Sequence, residues 1–170
     1  MDVSGNVIYV SSVSKTLSPG LRIGWAVGPE SVINRLADIK MQMDYGSSSL
    51  SQLVVAKWLE TGLYQEHLKE MRFELKKRRD FTINLLDKYF KDIAVWNIPK
   101  GGYYVWIDLK ENINMYKIFE DAYSKKVLLY PGYLYEATSN NSLRISYSYA
   151  SFEEIEKGLK ILSQIIKDCN

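Results

Sequence analysis

The chain of 170 residues is long enough for one good hydrophobic core or two small ones. Hydrophobic residues make up 46% and charged residues 25%, which is ordinary for a globular protein, and a formal net charge of +2 gives no strong attraction to nucleic acid. The single cysteine, Cys169, excludes an intrachain disulfide, and no apolar stretch approaches the ~18 residues of a membrane helix. We therefore expect a soluble, cytoplasmic protein whose segment here contacts neither membrane nor nucleic acid.

Two strands joined by a polar stretch are predicted first. Residues 6–11 form a β-branched and aromatic run that predicts a buried strand, and residues 22–27 predict a second one. Pro19-Gly20 between them predicts a turn, because proline presets φ at the first central position and glycine tolerates a positive φ at the second. A strand that starts so close to Met1 needs partners, so we expect the chain to be cut from something longer.

Three helices are predicted next. Pro29 opens the first, whose apolar positions recur at helical spacing: Val32, Leu36, Ile39 and Met43. The second begins near Ser49 and is interrupted at Gly62, and the third, an amphipathic helix, runs to about Phe90. The apolar stripe of the third helix comprises Tyr64, Leu68, Met71, Leu75, Leu86 and Tyr89. Its basic residues, Lys69, Lys76, Lys77 and Arg78, alternate with glutamates, which favours a solvated face over a nucleic-acid patch.

From residue 93 onward the pattern changes to short strands with helices between them. Strands are predicted at 94–96, 103–109 and 143–147, and a helix at 114–124. The final helix begins at a capping box formed by Ser151 and Glu154. Its predicted buried residues are Phe152, Ile155, Leu159, Leu162 and Ile166. The change of pattern predicts a domain boundary near Lys91.

One lysine stands in an unusual setting. Lys15 directly follows the first predicted strand, in a loop rich in hydroxyl groups. Its amine is nucleophilic only when neutral, and partial burial or a nearby cation such as Arg22 favours that form. Ser12, Ser14 and Arg22 also make a plausible phosphate cradle of two hydroxyl donors and one guanidinium. A lysine amine beside a phosphate cradle is what pyridoxal 5′-phosphate (PLP) requires, although a loop of this composition is often only a loop.

The segment from Ser12 to Trp25, SVSKTLSPGLRIGW, closely resembles the PLP-lysine signature of class I/II aminotransferases of fold type I. The branch it is most similar to holds the aminotransferase-like domain of MocR/GntR-type regulators and the 2-aminoadipate and kynurenine aminotransferases. Two later segments are similar to family motifs in the same order. Residues 99–106 resemble the Pro-x-Gly-Gly-aromatic segment, and Pro131-Gly132 followed by 143–147 resembles the late strand that carries an arginine.

The resemblance covers essentially the whole chain and implies its fold. That fold is α/β to α+β, the C-terminal fragment of the PLP-dependent transferase fold. Residues 1–91 would be the end of the PLP-binding large domain with a long interdomain helix. Residues 92–170 would be a small C-terminal domain with a small sheet covered by helices.

The resemblance also implies a role for each motif residue. Lys15 would be the catalytic residue, which holds PLP covalently and moves a proton at the substrate Cα. Ser12, Ser14 and Arg22 would hold the phosphate with it. Arg144 would bind the substrate α-carboxylate, and Gly102, beside Gly101, would let the backbone pass close to the substrate because it lacks a Cβ. No metal is implied.

The implied function is amino-group transfer between an L-amino acid and a 2-oxo acid, in a homodimer of the full-length protein. The family pattern places the aspartate that pairs with the pyridine nitrogen, and the ring that stacks on the cofactor, upstream of the lysine. Neither has a counterpart here, so we expect the isolated chain to bind PLP poorly and to have no transaminase activity.

Two other functions stay open. The same motif fits the PLP-binding effector domain of a MocR/GntR-type transcriptional regulator, in which PLP and an amine ligand switch conformation without turnover. A binding module unrelated to PLP is the third possibility. Two residues have plainer interpretations as well: Arg144 could pair with a surface acid, and Gly101-Gly102 could form only a hairpin turn.

Overall fold

The computed structural model describes residues 4–136 and 140–169. Its contacts divide the chain into two compact units, the first ending at Glu70 and the second beginning at Met71. This division falls inside a long helix. The domain boundary near residue 91, where that helix has ended, stays a prediction.

The first unit begins with an antiparallel hairpin. Strand β1 (Tyr9–Ser12) pairs with β2 (Gly24–Val27), and Ser12 lies opposite Gly24. The expectation of a buried strand at residues 6–11 is wrong, because side chains on both faces are exposed and Val10 reaches 73%. A β-branched run predicts burial only where a second layer covers the strand.

Three helices follow at the predicted places: α1 (Glu30–Asp44), α2 (Ser49–Glu60) and α3 (Leu63–Tyr89). Gly62 separates the last two with a φ of +80°, a backbone conformation that glycine adopts at low cost. The predicted apolar stripe of α1 stays uncovered, since none of its residues is buried and Met43 is 80% exposed. On α3 the stripe is confirmed, with Leu68 and Leu86 buried.

The second unit has its core between one sheet and the helices beside it. The sheet is antiparallel, in the order β3-β4-β6-β5, and consists of β3 (Ala94–Trp96), β4 (Tyr104–Leu109), β5 (Tyr130–Pro131) and β6 (Ser142–Ser146). Helices α4 (Met115–Ser124) and α5 (Phe152–Asp168) pack with the end of α3 against it. The innermost side chains include Leu86, Phe90, Ile107, Ile118, Leu143 and Ile166. The predicted small sheet covered by helices is confirmed.

Two side chains of this unit differ from the sequence prediction. Phe152, expected in the core, is 40% exposed and packs edge-to-face against Phe81 at a centroid distance of 4.8 Å. Arg78, expected to face water, is half-buried, and its Nη1 donates to the carbonyl oxygen of Ala150 at 2.7 Å. Both lie at the border of an apolar stripe, where helical periodicity does not decide burial. In the described parts of the chain, no helix is both long and apolar enough to cross a membrane.

Helix α5 begins at a complete capping box, as predicted. The backbone N–H of Glu154 donates to Ser151 Oγ at 3.2 Å, and the backbone N–H of Ser151 donates to Glu154 Oε2 at 2.7 Å. The hydrogen bond from the Ser151 backbone, with the Ser151 side chain contributing less, lowers the pKa of Glu154 below its ordinary 4.5, because it stabilises the carboxylate.

We expect Glu154→Gln to reduce the acid sensitivity of folding. Because the pKa of Glu154 is lower in the folded than in the unfolded chain, its contribution to stability is present above pH 4.5 and is lost as the pH falls through the folded-state pKa. Urea midpoints measured down the acid range should therefore fall more steeply for the wild type than for Glu154→Gln. Glu153→Gln, on the same turn, is the matched control. Its urea midpoints should fall with pH as steeply as those of the wild type. Equal acid slopes for wild type and Glu154→Gln would contradict this role.

Candidate functional site

The loop that carries Lys15 is wound around one backbone carbonyl. The N–H groups of Thr16, Leu17 and Ser18 donate to the carbonyl oxygen of Val13 at 3.2, 2.8 and 3.1 Å. Val13 is itself buried, and its N–H donates to Ile23 O at 3.1 Å. These bonds fix the loop to the hairpin and place Lys15 on its outer side. Lys15 is exposed, so the partial burial considered from the sequence is not found.

The three predicted phosphate-binding residues lie in this same loop. Ser12 Oγ accepts a hydrogen bond from the Ser14 N–H at 3.3 Å. The turn at Pro19-Gly20 is confirmed as a short 3-10 turn (Pro19–Leu21), but the positive φ falls on Arg22, at 56°, and not on Gly20. Arg22 Nη1 donates to Pro19 O at 3.3 Å, and the guanidinium makes no ion pair with the described residues. Four of the six predicted site residues are thus brought together by one local segment.

Strand β2 comes very close to the start of the loop at Gly24. A Cβ on this residue would lie 2.9 Å from the carbonyl oxygen of Ser11 and 3.3 Å from Ser12 Cβ. The first distance is shorter than a carbon and an oxygen tolerate without a backbone shift. No role of its own was predicted for Gly24, although an isolated glycine inside a strand pattern is a known sign of close backbone approach.

A side-chain contact ties the lysine loop to α3. Thr16 Oγ1 and Tyr64 OH lie 2.7 Å apart and form a hydrogen bond between residues 48 positions apart. This hydrogen bond was not predicted from the sequence, because Tyr64 was interpreted only as part of an apolar stripe. His67, on the same helix, is half-buried and packs edge-to-face against Trp58 at 5.8 Å.

In the second unit, Arg144 lies on β6, directly between Trp106 on β4 and Tyr130 on β5. Its neighbour Leu143 is buried in the core. Since successive side chains of a strand point to opposite faces, Arg144 lies on the face away from the helices.

The guanidinium of Arg144 is surrounded by rings. Its central carbon lies 4.0, 4.3 and 5.1 Å from the ring centroids of Tyr104, Tyr135 and Tyr130. It forms no ion pair with the described residues, and its buried Nε has no hydrogen-bond partner among them. The plainer interpretation, a salt bridge to a surface acid, is therefore not found in the described part of the chain.

Gly102 lies in the loop that joins the antiparallel strands β3 and β4, as the hairpin interpretation expected. Its φ of +87° favours glycine, while a Cβ there would meet nothing within 4 Å. Close approach to a substrate stays a prediction.

Two anchors of this loop were not recognised from the sequence. Tyr147 OH donates to Gly102 O at 2.8 Å, and Arg79 Nη1 donates to Pro99 O at 3.1 Å. Burial raises the pKa of Tyr147 above its ordinary 10.0, because it disfavours the charged phenolate. Both anchors join positions remote in sequence, which periodicity does not reveal.

The residues predicted from the sequence therefore fall into two sets. Ser12, Ser14, Lys15 and Arg22 belong to the first unit, and Gly102 and Arg144 to the second. Within the described residues, no group of three His, Cys, Asp or Glu side chains is placed to hold a metal ion.

We expect Gly24→Ala to destabilise the hairpin and disturb the lysine loop. The added Cβ would overlap Ser11 O, a backbone atom that moves only if the strand pair shifts, at a cost of about 1–3 kcal/mol. Gly20→Ala is the matched control, because its Cβ would meet only Ser18 Oγ, at 3.6 Å. The thermal unfolding midpoint would measure the loss of stability. The amide NMR resonances of residues 11–24 would report the disturbance of the loop. Equal stability of the two variants would refute the close approach.

Comparison with known proteins places both sets in one family. Residues 1–162 match the model of the family Aminotransferase class I and II. The HTH-type transcriptional regulator YisV of Bacillus subtilis is 51% identical over 164 residues, covering 96% of this chain and 34% of that protein. NorG of Staphylococcus aureus, another HTH-type transcriptional regulator, is 45% identical over 167 residues, covering 98% of this chain and 38% of that protein. The chain spans little more than a third of the length of these relatives.

Solved structures of aminotransferases share the fold at 30% identity or more, among them the following two. Kynurenine aminotransferase from Pyrococcus horikoshii, in complex with PMP, has a TM-score of 0.93 and 32% identity over 98% of this chain and 42% of that one. The α-aminoadipate aminotransferase LysN from Thermus thermophilus, complexed with N-(5′-phosphopyridoxyl)-L-leucine, has a TM-score of 0.87 and 30% identity over 96% and 42%. The chain therefore belongs to the class I and II aminotransferase family, whose cofactor is pyridoxal phosphate, and forms a C-terminal portion of its fold-type-I domain.

Proposed function

We propose that this chain is part of the PLP-binding effector domain of an HTH-type transcriptional regulator, the alternative named from the sequence. The observation that carries the proposal is a contrast in identity. The regulators YisV and NorG share 51% and 45% of the aligned residues, whereas the enzymes with solved structures share 32% and 30%. The fold is common to both groups, so the higher identity favours the regulators.

The donors of the lysine loop suit the phosphate of PLP. Ser12 and Ser14 supply hydroxyl groups, and Arg22 supplies a guanidinium engaged by one carbonyl only. Hydroxyl and guanidinium donors are the groups that a phosphate dianion accepts most strongly. The hydrogen bond from the Val13 N–H to Ile23 O fixes the loop that carries them to the hairpin. When bound, PLP supplies an electron sink for chemistry at an amine.

Lys15 supplies the primary amine to which the cofactor aldehyde would attach. It lies between Ser14 and Thr16, whose hydrogen bond to Tyr64 restrains the loop. Arg144 supplies an anion site in the second unit that suits the α-carboxylate of an amino acid, because a planar fork of donors matches a carboxylate. We therefore assign an amino acid, or a closely related amine with a carboxylate, as the effector.

Transamination is the second candidate function. The likeness to two aminotransferases with solved structures favours it, and Lys15 and Arg144 suit an enzyme as well as a regulator. In that case Lys15 would hold the proton exchanged at the substrate Cα. As this chain spans about 42% of the enzymes it resembles, either activity belongs to the full-length protein.

The full-length protein tests the assignment. We expect borohydride to trap a pyridoxyl group on Lys15 of the wild type and none on Lys15→Ala. DNA binding, measured by fluorescence anisotropy, should respond to PLP with an amino acid in the wild type and not in Lys15→Ala. Lys69→Ala, on the exposed face of α3, is the control and should behave as the wild type. Multiple turnovers of a 2-oxo acid at ~1 s⁻¹ or faster would instead establish the enzyme. Trapping on another side chain would refute the cofactor site.

We expect Arg22→Ala in the full-length protein to weaken PLP binding by about 10–100-fold, the loss expected for charged hydrogen bonds. Arg22→Lys should lose less, because it keeps the charge but not the fork. Absorbance titration with PLP and with pyridoxal, which lacks the phosphate, measures the effect. The affinity for pyridoxal should be the same in all three proteins. An equal loss for both ligands would show that Arg22 does not contact the phosphate.

A further inference from the structure

The cation of Arg144 is held by ring faces and not by acids. Tyr104 of β4, Tyr130 of β5 and Tyr135, just after the turn Gly132–Leu134, all place their rings within 5.1 Å of its central carbon. We call these three residues the tyrosine cage. They come from three different elements, so the sheet and the turn assemble the cage.

An acid on the same face of the sheet, Asp108, makes no ion pair with Arg144. Asp108 lies opposite Ser142. This pair is two residues along the strands from the Trp106–Arg144 pair, so both pairs lie on the same face. Its Oδ1 accepts hydrogen bonds from Ser142 Oγ at 2.6 Å and from Trp106 Nε1 at 3.0 Å. The carboxylate that could have neutralised Arg144 is therefore occupied by neutral donors.

Ring faces and acids act differently on a guanidinium. A carboxylate binds the N–H edge and occupies the donors that a ligand would need. A ring face attracts the cation through its quadrupole and leaves the N–H edge unoccupied. The buried Nε without a partner among the described residues fits the second arrangement.

We propose that Tyr104, Tyr130 and Tyr135 are positioning residues that hold the Arg144 guanidinium by its faces and leave its donors available for an incoming carboxylate. Naming that carboxylate as part of an amino-acid effector rests on the proposed function. The cage acts through ring faces. A phenylalanine in place of each tyrosine should therefore preserve carboxylate binding at Arg144, and a leucine should weaken it.

The three tyrosines are partly exposed, from 40% to 47%, so their replacement leaves the core in place. Tyr149, on the same unit, is 94% exposed and makes no ring contact with Arg144. Tyr149→Leu is therefore the matched control for the loss of a tyrosine.

The test uses the full-length protein labelled with ¹⁵N, without PLP and without DNA. The Nε–H resonance of Arg144 is assigned by its loss in Arg144→Lys and followed during titration with sodium acetate. Acetamide, which has the shape of acetate but no charge, is the control ligand. In the wild type we expect acetate to shift the resonance saturably and acetamide to leave it unchanged.

Each leucine variant of the cage should weaken acetate binding by about 3–10-fold, the effect of one cation–π contact. Each phenylalanine variant should stay within about 2-fold of the wild type, because the ring face is retained. Tyr149→Leu should match the wild type. If Tyr104→Leu fails to fold, Tyr135→Leu decides, since Tyr135 lies outside the sheet.

Three results would overturn the proposal: no response of wild-type Arg144 to acetate, unchanged affinity in the leucine variants, or an equal loss in the phenylalanine and leucine variants. The last would assign the effect to the hydroxyl groups. The acetate titration contains neither PLP nor DNA. If the regulator assignment is wrong, borohydride trapping and DNA binding will therefore show it. If the cage proposal is wrong, only the acetate titration will show it.

Discussion

The alternation of side chains along β4 and β6 is the constraint on which the second unit depends. Ile107 and Leu143 lie opposite one another on the face packed against the helices, and both are buried. Because successive side chains point to opposite faces, Trp106 and Arg144 must lie on the other face. A slip of one residue in this register would bury Arg144 and expose the core. The packing of the core thus determines where Arg144, the proposed anion site, lies.

The first unit places its candidate site by a different kind of interaction. Three consecutive N–H groups converge on the carbonyl of Val13, and Ser12, Ser14 and Arg22 stand within ten residues of one another along the chain. This geometry is local and needs no extensive core. The hydrogen bond between Thr16 and Tyr64 reaches further along the sequence. The proposed cofactor loop is therefore set by backbone turns, whereas the proposed anion site is set by sheet packing.

Local signals explain what the sequence predicted well. The capping box at Ser151, the helix break at Gly62 and the strand that carries Arg144 each depend on a few neighbouring residues, and all three are found. The lysine loop was likewise recognised from its motif. The prediction that the first strand is buried was wrong, because a β-branched run does not reveal whether a second layer covers the strand.

Contacts between distant positions could not be predicted. Three sets of contacts join residues that lie far apart in the sequence. They are Tyr147 with Gly102, Arg79 with Pro99, and the tyrosine cage with Arg144. The cage was hidden for a further reason: tyrosines near strands are common, and nothing in their spacing distinguishes a ring over a cation from a ring in a core. Periodicity assigns a residue to a face, but the partner on that face depends on the tertiary fold.

The exposed hairpin of the first unit has a consequence for handling the chain in isolation. β1 and β2 pair only with each other among the described residues, and Val10 and Val27 are open to water. A two-stranded ribbon presents unpaired amide and carbonyl groups along both outer sides, which is a template for adding further strands. Separate copies can supply those strands, so concentrated solutions of this polypeptide should grow edge-joined oligomers unless a covering layer is provided.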